Sequence, residues 1–153
     1  MAVIKILPRL FFVAAVFICG CDSHGLLKGY KYPVSKDSLE KTINKVIASS
    51  NAIVRDSIKD YYNDQFKYVR IIIRKGDELN KYVFNYYGDF TYWQESTDSS
   101  EFDIAFCYDK DNQGGSDNSI DEDLKKKLIS VFESEFVSKI DSGLKKNHRE
   151  LSH

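Results

Sequence analysis

The sequence predicts an α+β fold in two layers: a helix, then a three- or four-stranded antiparallel sheet, then a C-terminal helix packed on that sheet. Three observations carry this expectation. Residues alternate with a period of two over 68–74, 82–87 and 102–108. An apolar stripe at helical spacing follows them, made of Leu124, Leu128, Val131, Phe132, Phe136 and Ile140. A second, shorter helical pattern precedes them, with Leu39, Ile43, Val46 and Ile47 on one face.

The first helix is expected over about 37–49, because Asp37 stands three residues before Glu40 in a capping-box-like spacing and Ser49-Ser50-Asn51 offers a stop. Ile53, Val54, Ile58 and Tyr61 continue the same period and leave its end open. In the first strand Val69, Ile71 and Ile73 share one face, opposite Tyr68, Arg70, Ile72 and Arg74, and Lys75-Gly76-Asp77 makes the turn. In the second, Tyr82, Phe84 and Tyr86 oppose Val83, Asn85 and Tyr87. In the third, Phe102, Ile104, Phe106 and Tyr108 oppose Asp103, Ala105 and Cys107. One face of each is apolar and the other mixed, so the sheet should be covered mainly on one side. The last helix starts after Asp121-Glu122-Asp123, acids suited to a helix N-terminus, and stops near Gly143.

These elements place a single domain at 35–142, preceded by a tether at 21–34 and followed by a polar tail at 143–153. Residues 26–32 would add an edge strand. Composition agrees with one domain: 153 residues, 42% hydrophobic, 14% aromatic, and few glycines and prolines for long linkers. With 22 basic against 23 acidic residues the chain lacks the concentrated positive surface that nucleic acid requires.

Residues 1–20 have the layout of a secretory signal, with Lys5 and Arg9 ahead of an apolar run over 10–18 and no acidic residue. That run is shorter than the about 20 residues a helix needs to cross a bilayer. Ile18-Cys19-Gly20-Cys21 resembles the lipobox of bacterial lipoproteins. The resemblance implies cleavage before Cys21, acylation of its sulfur and amino group, and an anchor in the inner or outer membrane of a cell envelope, facing periplasm or cell surface. Asp22 is similar to an enterobacterial inner-membrane retention signal. Cys19 would leave with the signal, so Cys107 would be the one thiol of the mature chain and no internal disulfide would form. Tyr87-Gly88-Asp89, Tyr92-Trp93 and the segment from Phe132 to Phe136 resemble small lipoproteins of the Bacteroidetes type, a likeness that carries no function with it.

Two constellations are candidate binding sites. Asp109, Asp111 and Asp117 lie in a Gly-rich stretch that begins like a calcium loop, but Ile120 stands where the bidentate carboxylate belongs. Tyr87, Tyr92 and Trp93 belong to the densest aromatic cluster, whose rings suit peptide or sugar faces. Catalysis has no foothold: His24, His148 and His153 fall in the expected tether and tail, Cys107 falls within a strand, and no nucleophile or metalloprotease motif is present. The expected function is therefore non-catalytic and cofactor-free. The folded body would bind another envelope protein or polymer as an assembly accessory or an immunity-type inhibitor, with glycan or peptide binding by the aromatic loop as the alternative.

Overall fold

The computed structural model describes residues 25–56, 62–63, 66–88 and 98–151. It contains β1 (Lys28–Tyr32), α1 (Lys36–Ser49), β2 (Ile53–Arg55), β3 (Tyr62–Asn63), β4 (Phe66–Lys75), β5 (Glu78–Tyr86), β6 (Ser100–Tyr108) and β7 (Gly114–Gly115). Then follow α2 (Glu122–Phe132), a π-helical turn (Glu133–Val137), α3 (Ser138–Leu144) and β8 (Arg149–Leu151). The fold is mixed α+β with one antiparallel sheet, as expected, but the sheet has more strands than three or four. Its order is β2-β4-β5-β6-β1-β8, with β3 paired to β4 and β7 to β6.

The added strands come from stretches read as tether and tail. β1 is an interior strand, not an edge, pairing with β6 on one side and β8 on the other. Its Tyr30 and Tyr32 are wholly buried, so the folded unit begins before residue 35. β8 lies inside 143–153 and adds a strand there by pairing with β1. Both segments are short and polar in part, and what orders them is a partner distant in sequence, which local periodicity does not register.

α1 is capped by Ser35, whose hydroxyl accepts from the Ser38 amide at 3.3 Å, in place of the expected Asp37 cap. It ends at Ser49, because Ile53 and Val54 pair with β4 as β2. α2 starts as read from the sequence: the Asp121 carboxylate accepts from the amides of Asp123 at 3.0 Å and Leu124 at 3.1 Å. The stripe at 128, 132, 136 and 140 has strict four-residue spacing, which in a 3.6-residue helix drifts by about 40° per step. The π-helical turn underwinds the helix midway and keeps Phe132, Phe136, Val137 and Ile140 all buried. Against the sheet these rings meet Tyr82 and Phe84, with Tyr82–Phe132 centroids at 4.9 Å and Phe84–Phe136 at 5.5 Å.

β4 and β5 present the predicted faces to this core: Val69, Ile71 and Ile73, then Tyr82, Phe84 and Tyr86. β6 does not keep one face throughout. Phe84 pairs with Ile104 but Val83 pairs with Phe106, so Ala105 is an extra residue, a β-bulge. Beyond it the parity reverses. Cys107 turns into the core, fully buried, while Phe106 and Tyr108, expected on the apolar face with Phe102, turn to the other face and are half-buried.

Candidate functional site: the outer face of the sheet

The bulge gives the outer face, opposite the described helices, two rows of side chains. One row runs Val54, Ile72, Lys81, Tyr108 across β2, β4, β5 and β6; the next runs Arg70, Val83, Phe106. Each cation therefore faces apolar side chains directly, Arg70 opposite Val83 and Lys81 between Ile72 and Tyr108, while the diagonals, at about 7–8 Å, join Arg70 to Lys81 and Ile72 to Val83. Val54 is 43% exposed, and Ile72, Val83, Phe106 and Tyr108 are half-buried. Further along the strands the outer face closes, because Asn85, Glu101 and Asp103 are buried.

A cavity of about 330 Å³ lies in the open part, bordered by Asp56, Arg70, Lys81, Val83, Tyr108 and Asn112. Asp56 is fixed beside Arg70 by its amide, which donates to the Arg70 carbonyl at 3.0 Å. Lys81 donates to the Asn112 amide oxygen at 2.7 Å. Asn112 sits at a positive φ of 58° in the turn between β6 and β7.

That turn contains the calcium-like segment, and its geometry explains the spacing differently. The Asp109 carboxylate accepts from the amides of Asp111 at 2.9 Å and Gln113 at 2.8 Å, so its own loop occupies it. Asp111 pairs with Lys110, and Asp117 pairs with Lys125. The three carboxylates do not converge, and among the described residues no group of three His, Cys, Asp or Glu side chains is close enough to hold a metal ion. Gly114 and Gly115 pair with β6 in place of a loose connector.

Tyr87 stands at the end of β5 with its ring 48% exposed and its amide donating to the Glu101 carbonyl at 3.0 Å. Tyr92, Trp93, Cys21, His24 and His153 lie outside the described residues. Cys107 is buried, and that burial pushes its thiol up to about 12, which makes it a core group and not a nucleophile.

His148, in the expected polar tail, is instead held in the fold. Its Nδ1 lies 2.9 Å from the Asp141 carboxylate, and its ring packs edge-on to Tyr30 at 5.3 Å. Tyr30 donates to Glu133 at 3.2 Å, and Lys28 bridges Glu133 at 2.7 Å and Glu150 at 3.1 Å. Burial first, then the Glu133 charge, drives the Tyr30 phenol far above its usual range. This cluster ties β8 to the helices and its tyrosines are buried, so it serves to hold the strand. Nothing local in the sequence announces Arg70, Lys81 and Tyr108 as a group, since the bulge alone aligns them.

No family model, curated protein or solved structure matches the chain. Among the described residues no helix is long and apolar enough to cross a membrane.

Proposed function

We propose that this chain is a non-catalytic, lipid-anchored protein of a bacterial cell envelope whose folded body binds another macromolecule through the outer face of its sheet. The observation that carries the binding reading is the open half of that face. Apolar and aromatic groups from four strands lie there beside two cations around a cavity, and no described helix covers them. Half-buried aromatic and apolar side chains ringed by charge are the composition of a recognition surface. The lipid anchor rests on the lipobox-like Ile18-Cys19-Gly20-Cys21, and two or three acyl chains hold a protein at a membrane nearly irreversibly.

A photo-crosslinking residue introduced at Val83 or Phe106 in the full-length protein should capture a discrete partner in the producing cell. The same residue at Lys41, exposed on α1, should not. Equal capture from both faces, or none from the sheet face, refutes the reading. Intact mass of the membrane fraction tests the anchor: a chain starting at an acylated Cys21 is expected, and a Cys21→Ala protein that stays fully membrane-bound refutes it.

The exposed ring of Tyr87 favours a second reading, a glycan- or peptide-binding loop shared with Tyr92 and Trp93. A ligand stacking on those rings would shift the fluorescence of Trp93 and raise the melting temperature by mass action.

A further inference from the structure

We infer that the outer-face groove receives an extended acidic segment of a partner protein, with a carboxylate seated between Arg70 and Lys81 and a neighbouring apolar side chain against Val83 and Tyr108. The inference rests on the reading of this face as the binding surface and adds the chemistry of what binds there.

Charge complementarity selects the occupant. Several cations elsewhere on the body are spent on acids: Lys28 faces Glu133 and Glu150, Lys125 faces Asp117 and Glu122, and Lys127 faces Glu78 at 2.7 Å. At the groove, Lys81 meets the neutral Asn112 amide and, among the described residues, no acid. The Arg70 guanidinium has no side-chain partner among the described residues, although Asp56 lies beside it on the next strand. Among the described residues that border it, two cations against the one acid of Asp56 give the cavity a net positive charge, and a guanidinium binds a carboxylate in a two-pronged fashion. The apolar half of the site excludes a bare anion as the best fit. The two contact points both straddle the two rows, one between β4 and β5 and the other between β5 and β6, so a segment crossing the strands, with acid and apolar side chains two residues and about 6.6–6.8 Å apart, reaches both. The cavity, about 330 Å³, holds one or two side chains and not a folded domain. Nucleic acid would need many phosphate contacts, and among the described residues two cations line the groove.

The test uses the full-length protein in detergent and two fluorescein-labelled capped peptides, one of Glu-Ser-Leu-Ser repeats and one of Gln-Ser-Leu-Ser repeats, in which the acid or amide and the Leu stand two positions apart on one face. Fluorescence anisotropy should show saturable binding of the Glu peptide at least about tenfold tighter than the Gln peptide, weakening as salt rises. Arg70→Gln should lower that affinity about tenfold and Arg70→Lys by less, whereas Lys139→Gln on α3 should leave it unchanged. Thermal melts confirm that each variant is folded, and the exposed Lys81→Gln provides a second variant if Arg70→Gln is not. Equal affinity for both peptides, no saturable binding, or full competition by inorganic phosphate alone overturns the inference. Crosslinking of a partner at Val83 without peptide selectivity would leave the binding surface standing and remove only the acidic ligand.

Discussion

The hydroxyl of Tyr82 donates to the backbone carbonyl of Leu128 at 2.8 Å, joining the middle of the sheet to the middle of α2 inside the core. The bond satisfies a buried phenol, which burial keeps protonated well above its usual range. Replacing Tyr82 by Phe keeps the ring stacked on Phe132 and removes only this bond. The expected loss is about 1 kcal/mol in urea unfolding, with a fall in Tm of a few degrees. A variant as stable as the parent would show that the bond is not made in solution.

Phe132 is enclosed by Tyr82, Phe84, Phe102 and Phe136, with ring centroids between 4.9 and 6.3 Å. Phe132→Ala should destabilise the protein by about 3–5 kcal/mol, a large share of a small domain's stability. Lys126→Ala, on the exposed side of the same helix, should stay within about 0.5 kcal/mol of the parent. Similar losses for the two would mean the stripe is not buried.

Stability should fall on the alkaline side. In the unfolded chain the Cys107 thiol ionises near 9.0, whereas burial holds it protonated to about 12 in the fold. Its contribution is therefore whole below pH 9.0 and is lost progressively as pH climbs towards 12. The buried phenols of Tyr30, Tyr32 and Tyr82, all raised chiefly by burial, steepen the decline. Urea midpoints taken across this range should drop for the parent and drop less steeply for Cys107→Ala. Parallel slopes would rule out the thiol as a contributor.

Gly114 has a φ of +144°, and a Cβ built there would lie 2.1 Å from the Cys107 carbonyl oxygen. Gly114→Ala should therefore strip β7 from β6 and cost more than about 1 kcal/mol. Because the same turn carries Asn112, the variant should also release Lys81, seen as a sharper drop in binding at the outer face than Lys139→Gln gives. An alanine variant with unchanged stability would contradict the close approach.

What the sequence reveals follows the range of the interactions involved. The faces of β4 and β5 and the stripe of α2 are written locally, in two- and four-residue spacing, and the structure has them as read. The bulge at Ala105 leaves no such trace, because Phe102, Ile104, Phe106 and Tyr108 alternate without interruption; only the pairing with Val83 and Phe84 reveals the slip. β1 and β8 are missed for the same reason, since each acquires its meaning from the other and from β6. The candidate site inherits both blind spots. Arg70 and Lys81 read as ordinary outward residues until the shift brings Tyr108 beside them, whereas Tyr87, singled out for its neighbours in sequence, stands at the far end of β5.

The interior place of β1, between β6 and the edge strand β8, dictates when the protein can fold. Lys28 pairs with Ile104 and Gly29 with Leu151, so the first strand waits for residues made near the end of the chain before either of its edges is closed. Loops this long close slowly, and native contacts so distant in sequence place the chain among slow folders. A ribosome releasing residue 90 has delivered β4 and β5, a hairpin able to form by itself, but neither partner of β1. The outer side of β1 thus stays unpaired until residue 151 emerges, so the last turn of synthesis also completes the sheet.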